Sequence, residues 1–250
     1  LLAFIDVFRT LKLDSFRILF FAILVFCTLA GVVQTLLIYV ATYVFEFQPG
    51  HLAGLASSVL VGILFASVVA QGLSRRFDKK RALSMCVIIG GAFAFSPQIL
   101  YFGGYLGQLD DTVKFVLIFS VNGISQVFFI AYMILLDSML SDTIDEHQLN
   151  TGKREEGLFF AARSFATKAS YGLGSFFAGI GLDIIRFPQS ASPEAVPEIA
   201  VISLAILSGP VLFVLFLGTC LISNRYPLNQ QRHQEIMARI AANARVATSS

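Results

Sequence analysis

Six times along the chain, roughly 20 residues pass with hardly an ionisable side chain, the length a helix rising 1.5 Å per residue needs to cross a hydrocarbon layer about 30 Å thick. The runs cover residues 16–45, 52–73, 82–105, 113–136, 158–184 and 199–223. Transmembrane strands would instead show ten-residue alternation of apolar and polar residues, and the runs show none. The chain is 56% hydrophobic and 14% charged, too little charge to cover a soluble domain of this size. The expected fold is therefore an all-α membrane protein with six transmembrane helices over residues 16–223, a lead-in segment over 1–15 and a tail over 224–250. Ser96-Pro97 predicts a kink in the third run, and Pro188, Pro193 and Pro197 a loop before the sixth. The first run is too long for the apolar part of a cleaved leader. The chain opens Leu1-Leu2-Ala3 without an initiating Met, which reads as a piece of a longer protein. Cys27, Cys86 and Cys220 lie inside apolar runs without metal-ligand spacing, so they predict neither a zinc site nor a disulfide framework.

The basic residues orient the bundle. With six crossings, both termini and the loops after the second and fourth runs share one side. That side carries every Lys and Arg except Lys114 and Arg186 on the opposite side and Arg163 and Lys168 within the fifth run. The positive-inside rule makes it the cytoplasmic side of the plasma (inner) membrane. The basic cluster from Arg75 to Arg81 is explained by a tight cytoplasmic loop, with no nucleic acid needed. In the tail, Ile236, Met237 and Ile240 share one helical face; a short helix on the membrane surface and a frayed, solvated tail both fit.

Within the runs, small residues recur every fourth position: Gly54, Ser58, Gly62, Ala66 and Ala70 in the second, and Ala162, Ala166, Ser170, Gly174 and Ala178 in the fifth. Such stripes let helix backbones approach closely, whether for static packing or for sliding. The first run carries Thr28, Gly31, Thr35, Tyr39 and Thr42 with Gln34 alongside, and the fourth Asn122, Ser125, Gln126 and Tyr132. Faces of this kind look at other helices or at a wet cavity rather than at lipid. Lys168 lies roughly 15 Å into the fifth run, where an ammonium group is costly unless paired or hydrated. It is the leading functional candidate, with an ion pair to a carboxylate on another helix, Asp137 or one on a missing half, as the structural alternative. Arg163 is shallower and within reach of the membrane surface.

Between the fourth and fifth runs stand Asp142-Thr143-Ile144-Asp145-Glu146 and Thr151-Gly152-Lys153-Arg154-Glu155-Glu156-Gly157, followed by Lys168. This order of an acidic pair, Gly-x-Arg, acidic residues, an apolar run and an intramembrane Lys resembles the glycoside-pentoside-hexuronide:cation symporter family of the major facilitator superfamily. The resemblance covers nearly the whole chain as that family's C-terminal six-helix half. It implies a twelve-helix carrier of two bundles, alternating access to a central cavity, and solute movement coupled to Na⁺ or H⁺ with no other cofactor. It also implies that Lys168 lies near the coupling site and that the segment from Asp142 to Gly157 helps close the cytoplasmic side. The loop from Gln71 to Arg81 departs from the superfamily's basic signature, with Arg75 in place of an acidic residue and Gln71 and Asp78 in place of glycines.

The expected function is a sugar or glycoside carrier in which Lys168, Gln34, Tyr39, Asn122 and Gln126 line the pathway. Asp137, Asp142, Asp145, Lys153, Arg154, Glu155, Glu156 and Arg163 form the cytoplasmic gate, by ion pairs that hold in one conformation and break in the other. The expected partners are a small solute, the bilayer and a missing N-terminal half. A lysolipid-type carrier and a stand-alone six-helix protein acting as a dimer are the alternatives. An intramembrane enzyme is not expected: His51, His147 and His233 stand apart, and no paired catalytic groups assemble at depth.

Overall fold

The computed structural model describes residues 10–188 and 196–249, with side chains through residue 243. Arg9 and Arg245, which count among the basic residues of the cytoplasmic side, fall outside the described residues (Arg245 by its side chain), as do Pro193 and most of the lead-in segment. Helix α1 covers Asp14–Tyr39 and continues as a π-helical turn over Val40–Val44. The second crossing joins α2, Pro49–Ser57, to α3, Val59–Arg76. Helix α4 covers Lys79–Phe102, α5 Asp111–Thr151 and α6 Glu156–Ile184. The sixth crossing is α7, Glu198–Ile206, a second π turn, Leu207–Val211, and α8, Leu212–Ser223. The tail forms α9, Gln230–Ser249. No strand occurs among the described residues.

Helices follow from the solvent: in hydrocarbon each backbone N–H and C=O needs a partner within its own segment. Pro97 inside α4 has no hydrogen to give the Phe93 carbonyl one turn back, and Ser96 Oγ donates to that carbonyl at 2.9 Å instead. Pro210 lies in the second π turn, where the ordinary bonding ladder is already interrupted.

Five of the crossings, Asp14–Val44, Pro49–Arg76, Lys79–Phe102, Asp111–Thr151 and Glu198–Ser223, are long and apolar enough to span a bilayer. α6 is 29 residues long and less apolar, since it carries Arg163 and Lys168. Its packing sets it alongside α1 over the whole length of that crossing. The Phe16 and Phe159 rings meet at 4.8 Å, and a Cβ added to Gly174 would lie 2.7 Å from Gly31 Cα. Farther along, Thr35 Oγ1 donates to Ser175 Oγ at 3.0 Å, and Tyr39 meets Phe187 at 5.8 Å. α1 and α6 therefore run parallel and in contact throughout.

The second and fourth crossings pair in the same way. Gly54 abuts Phe115, Ser58 Oγ donates to Asn122 Oδ1 at 2.9 Å, and Gly62 abuts Gln126. Exchanging the first three crossings with the last three maps one seam onto the other, as in a bundle built from two inverted three-helix repeats. Both small-residue stripes face these seams, with Gly62, Ala66 and Ala70 buried in one and Ala162, Ala166, Ser170, Gly174 and Ala178 in the other. Phe26 stacks on Tyr132 at 4.0 Å and meets Phe216 at 5.4 Å where α1, α5 and α8 converge.

Two sequence expectations need correction. The fourth crossing does not end at Leu136 in a polar loop: α5 continues to Thr151. No Gly or Pro interrupts residues 137–151, Met139, Leu140 and Ile144 are buried, and only Gly152, at φ 73°, turns the chain out of the helix. The acidic pair is thus helical. The tail is not held by a membrane surface alone, because Ile236 is buried against the bundle while Met237 is exposed.

Candidate functional site

A cavity of about 210 Å³ lies among α1, α4, α5 and the second π turn, in the part of the bundle away from the basic end. Its polar lining is Gln34, Gln98, Asn122, Ser125, Gln126 and Ser208, set among Phe26, Phe95, Phe129, Met133 and Tyr171. Among the described residues, no Asp, Glu, Lys, Arg or His contributes to it. Asn122 and Gln126 are one turn apart on α5 and so share a face. The Ser58 hydroxyl occupies Asn122 Oδ1, which leaves the NH₂ group as the donor Asn122 can offer a ligand. Gly62 makes room for Gln126, since a Cβ there would lie 2.9 Å from Gln126 Cβ.

Of the residues expected to line a pathway, Gln34, Asn122 and Gln126 meet at this cavity, while Tyr39 and Lys168 do not. Tyr39 packs against Tyr43 and Phe187. Lys168 is exposed, because α6 turns its small residues to α1 and Lys168 follows Ala166 by about 200° of helical rotation. It does not pair with Asp137, which binds Arg163 instead.

At the basic end the charges interlock. Arg163 grips both oxygens of Asp137 with one edge of its guanidinium, Nε and Nη2 donating at 2.8 and 2.9 Å. Lys79 reaches from α4 to Asp142 at 2.6 Å, and Arg154 bridges Asp145 at 2.8 Å and Glu156 at 2.6 Å. Glu155 is hydrogen-bonded to His147 at 3.0 Å rather than to its neighbour Lys153, which is exposed beside a cleft it shares with Lys12. Ser15 Oγ donates to Glu146 and ties α1 to the same end.

The tail completes this network. His233 lies 3.1 Å from Asp145 and 3.5 Å from Asp142. Tyr226, buried beneath it, donates to the Met139 carbonyl at 2.9 Å and lies 3.0 Å from Thr143 Oγ1. Burial, more than the nearby Asp142 and Glu146 carboxylates, pushes the Tyr226 phenol well above its usual range, so it stays a neutral donor.

The model of the family described as MFS/sugar transport protein matches residues 3–230. The chain belongs to that family. Among curated relatives, an uncharacterised symporter of Synechocystis is 30% identical over 203 residues, covering 79% of this chain and 34% of its own length. An uncharacterised symporter of Bacillus subtilis, YjmB, is 25% identical over 82% of this chain and 41% of its own length. A putative glycoside/cation symporter of Escherichia coli, YagG, is 24% identical over 69% of this chain and 35% of its own length. The chain thus spans between 34% and 41% of these relatives. It is a multi-pass membrane protein of a transporter family.

Two residues of this MFS chain escaped the sequence reading. Gln98 is a lone amide in an apolar run, and Pro97 beside it drew attention to helix geometry rather than to chemistry. His233 looks like one more polar tail residue; its partners lie 88 positions away in sequence, and only tertiary packing brings them together.

Proposed function

We propose that the chain forms one six-helix half of a secondary active transporter of the plasma (inner) membrane, with both termini cytoplasmic. It moves a neutral sugar or glycoside-like solute by alternating access, coupled to Na⁺ or H⁺. The observation that carries this reading is the contrast along the bundle axis. An uncharged, amide-lined cavity lies toward one end of the bundle, and interlocked ion pairs gather at the other, as expected of a carrier resting with its cytoplasmic end shut. The relatives named symporters support coupled transport, and one of them is named for glycosides.

Two features support a second bundle. The exposed ammonium of Lys168 lies on a membrane-depth helix and needs protein or water over it. Among the described residues the cavity lining also holds no carboxylate, so a cation site needs groups from beyond this lining. In this reading Lys168 faces the second half and the coupling pathway, and the pairs Asp137–Arg163, Asp142–Lys79 and Asp145–Arg154 form the gate.

The test is uptake of radiolabelled hexoses, pentoses and their glycosides into vesicles carrying the intact transporter, under an imposed Na⁺ or H⁺ gradient. Accumulation driven by one gradient and lost in Lys168→Ala supports the reading. If no member of the panel accumulates under either gradient, the sugar-symport reading falls.

A further inference from the structure

Gln98 is only 6% exposed, and its carboxamide oxygen has no hydrogen-bond partner among the described residues although the side chain borders the cavity. Buried polar atoms in folded proteins are nearly always bonded, and one left without a partner calls for an explanation. In a membrane the explanation cannot be bulk solvent behind the helix, since α4 has lipid or protein there.

The local backbone keeps this amide in place. Gly209 of the second π turn faces it, and a Cβ added there would lie 3.0 Å from both Gln98 Cβ and Cγ. Only glycine lets α4 and the sixth crossing close on the side chain. Both elements are interrupted at the same level, α4 by Pro97 and the sixth crossing by the π turn containing Pro210, and π turns concentrate at functional sites. Ser208, on the same turn, holds its hydroxyl 3.5 Å from the Ala205 carbonyl, a bond at the limit of useful length, so that hydroxyl is free to take a shorter partner. Phe95, on the same face of α4 as Gln98, adds an apolar wall to the cavity.

We propose that Gln98 is a specificity-determining residue. Its carboxamide oxygen accepts a hydrogen bond from one hydroxyl of the solute, at a subsite shared with Ser208 between α4 and the π turn. The inference rests on the sugar-carrier reading above. It adds a residue from a crossing that supplies no other polar side chain to the lining. It also adds a sign: with no Lys, Arg or His among the described residues of the lining, no cation adjoins this subsite to compensate a carboxylate, so the subsite takes neutral glycosides over uronides. A site built to pair a hydroxyl rejects the analogue lacking it far more strongly than an apolar pocket distinguishes shapes.

The experiment measures binding of p-nitrophenyl glycosides of the common hexoses and pentoses to the purified intact transporter. The tightest binder is then tested as its set of monodeoxy analogues and as its uronide. Gln98→Leu should weaken binding of the parent glycoside at least tenfold while leaving one deoxy analogue unaffected, the coupling that a double-mutant cycle reports. Gln98→Met serves the same purpose should the leucine variant fail to fold, with thermal unfolding as the check. Wild type should favour the neutral glycoside over its uronide at least tenfold.

Unchanged affinity in the variants overturns the assignment. So does an equal loss for every deoxy analogue, the result expected if Gln98 holds only a water molecule or only packs the helices. A preference for the uronide overturns the neutral-solute part. If wild type binds no glycoside in the panel, the sugar-carrier reading itself falls and this inference with it, an outcome distinct from binding that ignores Gln98.

Discussion

At the basic end of the bundle, Asp137, Asp142, Asp145, Glu155 and Glu156 each have a nitrogen partner at 3.0 Å or less, whereas among the described residues the cavity holds amides and hydroxyls, no ionised group, and a buried carboxamide oxygen without a hydrogen-bond partner. The difference separates two uses of polarity in one membrane protein. Groups that satisfy one another fix an arrangement, and because the basic end borders water they can exchange partners at modest cost. Groups left unsatisfied in a low-dielectric cavity are costly until something enters to bond with them. The first use suits a closure that must open, the second a site that must be filled.

Removing one partner of the most complete pair should break this contrast most severely. Arg163→Ala leaves Asp137 half-buried without its bidentate partner, a loss of about 1–3 kcal/mol by the usual cost of an unpaired charged acceptor. The expected outcome is a rise on the order of tenfold in the alkylation rate of a cysteine placed at Met133 by a reagent applied from the basic side, with restoration by the exchanged pair Asp137→Arg, Arg163→Asp. An unchanged rate would reduce the pair to local packing.

Gln126→Leu probes the other side of the comparison. It should weaken glycoside binding about fivefold and leave the thermal unfolding free energy within about 0.5 kcal/mol, because the leucine keeps the volume and no internal bond is lost. A large loss of stability would mean that the cavity amides hold the fold together as the ion pairs do.

The smallest effect is expected for His233→Ala. Its contact with Asp145 is partly exposed and worth about 0.5–1 kcal/mol, so protease cleavage within α9 should quicken about threefold while transport stays near the wild-type rate. Cleavage at an unchanged rate would assign tail docking to Tyr226 and Ile236 alone.

The crossings were legible because the bilayer imposes one length and one chemistry on each of them. That Gln34, Asn122 and Gln126 border a cavity was legible for a related reason: amides at helical spacing in an apolar run have few places to point. Lys168 shows where such reading stops. Depth follows from counting residues along α6, but direction around the helix depends on which face α1 takes, and Gly31 against Gly174 decides that. The partner of Glu155 was not legible either, because Gly152 turns the chain and brings Glu155 to His147. The tail was misjudged because an amphipathic helix shows the same apolar stripe whether lipid or protein covers it.

The docking of the tail also fixes an order of events during synthesis. Asp145 and His233 are 88 positions apart, and Thr143 and Tyr226 are 83 apart. At about 5–20 residues per second, translation delivers the tail roughly 4–18 s after α5. Throughout that interval α5 is in the membrane with Thr143 and the acidic pair awaiting Tyr226 and His233, so the basic end is the last part of the bundle to be assembled on the ribosome.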